Sequence, residues 1–557
     1  MRDARPARVT KPQFPDYPAT TSVFLRHVAN TYGDATLAIL GGERVSYRDL
    51  EERSALLARG LLASGVRKGT RVGLLAPNRP DWIICWLAAS RIGAVVSLLN
   101  TYWKTRELAW VLHHADVDML LTVEEHLGND YLDRLEAAAP ELQQQRNEAY
   151  RVSSHPLLRS AWSLGQNQRA WCGELSELFE RGHDVPVQWL EAAEGEVTPA
   201  DPQLVVYSSG STSDPKGAIH SHGTVVRHPL NLLQFRDFGP GDVVYSPMPL
   251  FWVGGLSFTL LSVMHAGAAI LFEQAFEPGE TLELLERERV THLLGWPHVS
   301  KALREHPSFP DRDLSALRDS PGLGLFPPAT GEWERAQSLG MTETFGPHTI
   351  QPVGLRPASE VQGSYGHSVP GMEHRVIDSV SGEVLAPGEM GEICLRGYAL
   401  MDGLYKKDRR EVFDRDGWYH TGDGGFFDDE GHLHYKGRLG THIKSSGTLV
   451  TPREVELVLE EFDEVVSAYV LGVDHPDRGE DVVAAVVLGE GAEASSEGLR
   501  ARVKAELSNY KVPRHIEIFP DTQQLPSLAS GKIDLRALKR LLTDRFRAVV
   551  ASEGKQN

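Results

Sequence analysis

Two hydrophobic periods alternate between Thr20 and Val123, and that alternation restricts the fold more than any other feature of the sequence. "VFLRHVANTY" and "YRDLEERSALLARGLLASG" place apolar residues three and four apart, as one face of a helix requires. "TRVGLLAP" is a short unbroken apolar run closed by Pro77, which reads as a buried strand. "WIICWLAASRIGAVVSLLN" reads as a helix running into a strand, and "VDMLLTV" as another strand. Helix–strand units in succession imply α/β layers. "LVVYSSG", "DVVYSPMP", "GAAILFE" and "THLLGWP" add further strand–loop signals. The intervening region Glu124 to Pro199 is polar and irregular, with weak helices such as "GELSELFERG". From Pro352 to Gly437 short strands alternate with glycine turns, as in "VIDSVSGEVL", "GEICLRG" and "GHLHYKGR", and predict a β-rich lobe. A break falls between Gly437 and Gly447. Beyond it "PREVELVLEEF", "VVSAYVLGV", "DVVAAVVLG", "SEGLRARVKAELSNY" and "HIEIF" predict a small α+β domain.

The chain of 557 residues is long enough for more than one domain. Its net charge of -19 argues against binding nucleic acid or anionic membrane through bulk charge, though a local basic pocket remains compatible with it. Cys85, Cys172 and Cys394 show neither metal-ligand spacing nor a disulfide framework, so a reducing cytoplasm is the expectation. The basic N-terminal stretch lacks an apolar run after it and does not read as a signal peptide. Leu250 to Phe272, "LFWVGGLSFTLLSVMHAGAAILF", has no Asp, Glu, Lys or Arg and is long enough to span a bilayer. Gly254, Gly255, Gly267 and His265 interrupt it, and Pro247 and Pro249 precede it. A buried helix followed by a buried strand is the expected structure.

"YSSGSTSDPKG", Tyr207 to Gly217, follows the strand "QLVVY". Such a loop can aim backbone N–H groups at phosphate oxygens, with hydroxyls from Ser208, Ser209, Ser211, Thr212 and Ser213 and a compact charge on Lys216. The order of a Walker loop is absent, and alone the stretch reads equally well as a plain polar loop. Three more segments favour the phosphate reading. "LGMTETFG" places Thr342 beside Glu343, a hydroxyl for a phosphate oxygen and a carboxylate for Mg²⁺. "WYHTGDGGFFDDEGHLHYKGR" sets Asp423 in a tight Thr-Gly-Asp turn, suited to accepting from both ribose hydroxyls. "LPSLASGKIDLRAL" presents Lys532 after a glycine.

In this order and at these separations, the four segments resemble the adenylate-forming superfamily of acyl-CoA synthetases, peptide-synthetase adenylation domains and firefly-type luciferases. The resemblance runs from about Ser22 to Leu538. It implies an α/β fold: a large multi-lobed N-terminal adenylation domain, 20–437, and a small mobile α+β C-terminal domain, 438–545. It implies ATP-dependent conversion of a carboxylic acid to an acyl-AMP, then transfer to coenzyme A, giving acyl-CoA, AMP and pyrophosphate. By the same resemblance Ser208, Ser209, Gly210, Ser211, Thr212 and Lys216 hold the β- and γ-phosphates. Thr342 meets the α-phosphate, Glu343 positions Mg²⁺, Asp423 and Arg438 grip the ribose, and Lys532 enters for adenylation. Trp252, Gly254, Gly255 and Gly340 line the acyl pocket, and Gly440, Lys444 and Gly447 belong to the hinge and the thiol approach.

The sequence also departs from the family pattern. Leu339 replaces the aromatic that usually stacks on adenine. Trp252 stands where many relatives have histidine, and reads either as a core aromatic or as an acyl-pocket wall. Gly440 replaces the usual Asp or Lys two residues after Arg438. Ser320 to Ser338 is short and altered where the family carries a Gly-Gly-Ala-Pro-like segment. The uncharged run and this altered segment point to a hydrophobic acid, of medium or long chain, aryl or steroid-like. The partners expected are that acid, ATP and coenzyme A, with neither nucleic acid nor a transmembrane span. The rival readings are an enzyme loading a carrier-protein thiol, luciferase-type oxidation, and a non-catalytic nucleotide-binding scaffold.

Overall fold

The computed structural model describes residues 9–208, 215–295, 297–318, 338–351, 363–439, 443–445, 448–450, 452–475, 479–507, 511–528 and 533–553. The chain divides into two compact units, Met1–His374 with Leu395–Tyr419, and Arg375–Cys394 with His420–Asn557.

Two large sheets carry most of the described strands of the first unit. In the larger, Val95–Leu98 lies parallel to both Arg71–Leu75 and Pro202–Ser208, and Met119–Thr122, Ser160–Ser163 and Cys172–Glu174 continue the parallel order outward. On the other side Lys216–Ser221 pairs antiparallel with Pro202–Ser208, and Gly403–Leu404 closes the edge. The second sheet runs His292–Leu293, Val243–Tyr245, Ala269–Phe272, Thr36–Leu40, Glu43–Ser46. The expected elements at the start of the chain form as read: helices Thr21–Tyr32, Tyr47–Ala63 and Pro80–Arg91, and strands Arg71–Leu75, Val95–Leu98 and Met119–Thr122.

The helix Pro80–Arg91 is buried on all sides, Trp82 and Trp86 included, which explains its unbroken apolar sequence. Arg91 at its end is 1% exposed and is made tolerable by two carboxylates, Glu194 Oε1 at 2.5 Å and Glu51 Oε1 at 2.8 Å. This anchored helix feeds Val95–Leu98, the strand against which the phosphate-loop strand Pro202–Ser208 is paired.

The region Glu124 to Pro199 is more ordered than its sequence predicts. It supplies the last two strands on one side of the sheet, Ser160–Ser163 and the edge strand Cys172–Glu174, and buries Trp162 and Trp171. Runs of four and three residues are too short to show a period, so the pairing partner decides them. The uncharged run forms the expected helix and strand. Gly254–Leu261 is π-helical and Ser262–Ala266 α-helical, Gly267 caps the helix in the left-handed region, and Ala269–Phe272 is a fully buried strand. Among the described residues, no helix is long and apolar enough to cross a membrane.

The second unit holds most of the expected strand-rich lobe, a sheet of order Met372–Ile377, Gly391–Gly397, Tyr419–Phe427, Leu433–Arg438. The α+β part follows. Its central strand Gly479–Leu488 pairs antiparallel with Val465–His475 and parallel with His515–Phe519, and helices Pro452–Glu460, Ser496–Glu506 and Leu535–Glu553 accompany it.

The first unit buries several imidazoles in neutral form. Burial holds His220 and His222 down to about 4, and His228 and His265 down to about 3, against an ordinary value of 6.5. Between those folded values and 6.5 the unfolded chain binds more protons than the folded one, so stability rises with pH across that window. The fold is therefore expected to be at full strength above pH 6.5 and to weaken steadily as pH falls toward 4. Urea midpoints measured at about pH 7.5 and about pH 5 check this; equal midpoints would refute it.

Candidate active site

The strand Pro202–Ser208 and its antiparallel neighbour Lys216–Ser221 form a hairpin in which Ser208 stands opposite Lys216. The expected phosphate cradle is therefore the tip of this hairpin, with a hydroxyl at one base and an exposed ammonium at the other. Ser209, Gly210, Ser211 and Thr212 lie outside the described residues. The base is rigid. Tyr207 is buried, and its hydroxyl lies 2.9 Å from His114 Nδ1.

Four residues beyond Lys216, on the same face of the strand, His220 is fully buried. Its Nε2 lies 2.9 Å from the carbonyl oxygen of Thr342. A carbonyl only accepts, so Nε2 carries the proton and the ring is the donor. This bond ties the hairpin to the Thr342–Glu343 turn, and sequence reading missed it. The available signal was the i, i+4 spacing of Lys216 and His220 on a strand, which puts a buried imidazole under the same face as the cation.

Thr342–Thr344 forms a single 3₁₀ turn after the strand Ser338–Met341. Several contacts hold it in place. The Met401 N–H donates to the Glu343 carbonyl at 2.7 Å, and the Thr344 hydroxyl donates to the Gly346 carbonyl at 2.7 Å. The Tyr419 hydroxyl donates to Glu343 Oε1 at 3.3 Å. Thr342 and Glu343 themselves remain partly exposed. Glu343 Oε2 has no protein partner among the described residues, so a fixed carboxylate offers an oxygen for a further ligand. That donor suits Mg²⁺, which takes oxygen ligands and keeps several waters.

Two of the predicted pocket glycines are required by backbone approach. A Cβ on Gly340 would stand 2.8 Å from the Gly346 carbonyl, and one on Gly255 would stand 2.1 Å from the Pro249 carbonyl. A Cβ on Gly254 would meet only the Met248 thioether, at 3.1 Å, so this glycine is less constrained. The turn over Gly255 carries Trp252, which is half-buried, packed against the core, and set edge-on to Phe251 and Tyr102 at 5.5 and 5.8 Å between ring centres. Tyr102 is 42% exposed and completes this aromatic group; nothing in its own segment marks it. Trp252 thus belongs to the margin of the core.

In the second unit Asp423 and Arg438 face each other across paired strands, with Arg438 Nε 3.0 Å from Asp423 Oδ1. Arg438 also donates to the Thr421 carbonyl at 2.9 Å. The predicted tight turn around Asp423 is instead continuous strand, Tyr419–Phe427, kinked where Gly422 takes φ +70°. Pairing with Leu433–Arg438 draws Asp423 into the sheet, and the register shifts between Gly424 and Gly425, where Gly437, opposite Gly424, takes φ +102°. Asp423 is 6% exposed, and Arg438 keeps its head toward water. Lys444 lies on the strand Ile443–Ser445, opposite Leu449. Gly440, Gly447, Lys532 and the segment 319–337 lie outside the described residues.

The family model for AMP-binding enzymes matches residues 25–405, and that for the AMP-binding enzyme C-terminal domain matches 454–532. A feruloyl-CoA synthase of Amycolatopsis is 32% identical over 90% of this chain and 94% of its own. The mitochondrial medium-chain acyl-CoA ligase of Rattus norvegicus is 26% identical over 92% of this chain and 86% of its own. Among solved structures, the amide bond synthetase McbA of Marinactinospora thermotolerans superposes with a TM-score of 0.76 at 27% identity, covering 94% of this chain and all of that one. With both family models matched in chain order and the first spanning more than half of it, this chain belongs to the AMP-binding enzymes, the adenylate-forming family.

Proposed function

We propose that this AMP-forming carboxylate–CoA ligase acts on a hydrophobic acid, aryl or medium-chain. The observation that carries the reading is the His220–Thr342 bond, which holds the hairpin strand that starts at Lys216 and the turn that carries Glu343 as one piece. A cation and a carboxylate fixed to one frame are what a polyphosphate with its Mg²⁺ requires. The Tyr102, Phe251 and Trp252 rings favour an apolar acid, and relatives named for feruloyl and medium-chain substrates support aryl or medium-chain over steroid-like.

A carboxylate is a poor electrophile because oxide is not a viable leaving group. The acid's oxygen attacks the α-phosphorus of ATP, the bond to the bridging oxygen breaks, and pyrophosphate leaves. The sulfur of coenzyme A then attacks the acyl carbon and expels AMP. Ser208, Ser209, Gly210, Ser211, Thr212 and Lys216 hold the β- and γ-phosphates, and Thr342 meets the α-phosphate. Asp423 accepts from the ribose hydroxyls, with Arg438 holding the carboxylate in place. Mg²⁺, held through Glu343, supplies charge neutralisation at the phosphate oxygens. Lys532 approaches the acid and the α-phosphate in the first step. Trp252, Gly254, Gly255 and Gly340 border the acyl group, while Gly440, Lys444 and Gly447 serve the second step. We place the functional domains at 20–437 and 438–545; the two family models, ending and beginning on either side of that boundary, support this. Three buried cysteines, none of them in a disulfide, support a cytoplasmic setting.

Carboxylate-dependent pyrophosphate exchange across an acid panel, followed by detection of acyl-CoA, tests the reading. Exchange without thioester on coenzyme A points to a carrier-protein thiol instead. His220→Phe is expected to lower the rate of adenylation by about 10²-fold through misplacement of Thr342, with the folded state retained. An unchanged rate in that variant removes His220 from the frame. Lys532→Ala is expected to slow acyl-AMP formation by about 10²–10³-fold while leaving transfer from pre-made acyl-AMP nearly intact. Loss of both half-reactions together in a folded protein refutes that role. Trp252→Ala is expected to change the order of preferred acids at constant KM for ATP; an unaltered preference profile assigns the ring to packing alone.

A further inference from the structure

Glu392, Cys394 and His420 form a cluster that the adenylation chemistry does not use. Glu392 and Cys394 are two apart on the strand Gly391–Gly397 and so share a face, and His420 stands on the neighbouring strand Tyr419–Phe427. His420 Nδ1 lies 3.1 Å from Glu392 Oε2 and 3.7 Å from Cys394 Sγ. One donor atom from each of the three lies within 4.8 Å of the other two. Cys394 is fully buried, whereas the His420 side chain is 41% exposed, so the cluster opens to water on the imidazole side.

Two readings compete. A thiol nucleophile activated through histidine needs the two ring nitrogens to face different partners, one toward sulfur and one toward the carboxylate. Here sulfur and carboxylate both converge on Nδ1, and one proton there cannot serve both. A shared cation can. With Zn–N and Zn–O near 2.0–2.2 Å and Zn–S near 2.3 Å, the edges of a tetrahedral site are about 3.3–3.6 Å. The observed 3.1 and 3.7 Å bracket those edges. The carboxylate is also oriented from behind. The Gly422 N–H donates to Glu392 Oε1 at 3.0 Å, which turns Oε2 toward the imidazole, as outer partners do for metal ligands. A thiolate–imidazole–carboxylate set selects zinc-class cations over Mg²⁺ and Ca²⁺.

We propose that Glu392, Cys394 and His420 are a binding site for a zinc-class divalent cation, with water as the fourth ligand. Binding forms bonds from the cation to Oε2, Sγ and Nδ1 and releases the Cys394 thiol proton to solvent. It cross-links two neighbouring strands just ahead of Asp423, so the cation bears on the strand that carries that carboxylate.

Cobalt(II) is a spectroscopic stand-in for zinc, and the full-length protein without ATP is the sample. One equivalent of Co²⁺ is expected to give a thiolate-to-cobalt charge-transfer band and the visible bands of a tetrahedral site, both removed by Zn²⁺ and not by Mg²⁺. Cys394→Ser is expected to abolish the charge-transfer band. Cys85 and Cys172 do not supply it, because among the described residues neither thiol stands in a group of three such ligand side chains. His420→Ala, at an exposed position, is expected to keep its circular dichroism and to weaken Zn²⁺ binding at least about 10-fold. A wild-type protein with no thiolate–cobalt band, or a band that survives Cys394→Ser, overturns the site. If Cys394→Ser does not fold, unchanged Zn²⁺ affinity in His420→Ala overturns it alone.

Discussion

The bond from His220 to the Thr342 carbonyl is the constraint on which the placement of Thr342 and Glu343 within the first unit depends. It works because burial keeps the ring neutral, and the carbonyl then dictates which nitrogen bears hydrogen. The ring also packs 4.9 Å from Phe345, centre to centre. Phe345 takes φ +52°, a left-handed conformation that a bulky side chain adopts only when its surroundings enforce it. The Thr344 side chain and the Met401 N–H supply that enforcement from two further directions. The turn that presents Thr342 and Glu343 is therefore strained in itself and held by neighbours far away in sequence. Its geometry is fixed by these contacts within the first unit.

How much of this was legible in the sequence follows from which contacts are local. The helix Pro80–Arg91 and the strands on either side of it were readable because their period and length are intrinsic to their own residues. Ser160–Ser163 and Cys172–Glu174 were not, because strands that short exist only through their partners. The site divides the same way. Thr342, Glu343, Asp423 and Arg438 could be named from neighbouring residues and order along the chain. That Asp423 and Arg438 stand directly opposite each other is a matter of register, and the same register turned a predicted turn into strand. Tyr102 joins its aromatic group from a loop with no mark of its own, while His220, on the strand Lys216–Ser221, is marked only by its spacing from Lys216. Ser209, Gly210, Ser211, Thr212, Gly440, Gly447 and Lys532 lie outside the described residues, so their roles rest on sequence.

The uncharged run from Leu250 to Phe272 shows how one segment serves both stability and site. Its absence of charge suits a bilayer and a protein core equally, and its glycines decide for the core. Gly255 lets the chain fold back within contact of Pro249, which no transmembrane helix of regular pitch would do. The π-helical turn Gly254–Leu261 that follows is a costly departure from α geometry, of the kind that recurs beside functional sites. Its effect here is local. It brings Trp252 out to the edge of the core beside Tyr102, while Leu256, Leu260 and Leu261 stay buried within it.

The charges show the opposite economy. A chain of net charge -19 must bind two polyanions, so its field as a whole opposes its substrates. The cations assigned to them therefore have to act at contact range, and they are placed accordingly. Lys216 is exposed at a hairpin base, and the Arg438 side chain is 55% exposed although its partner Asp423 is only 8% so. A buried carboxylate that holds an exposed guanidinium fixes its direction without hiding it. His220 and His222, which would contribute charge only at low pH, are buried and neutral, and serve as struts. Positive ends held at the surface beside buried, neutral or paired supports are set by burial and pairing more than by the number of basic residues.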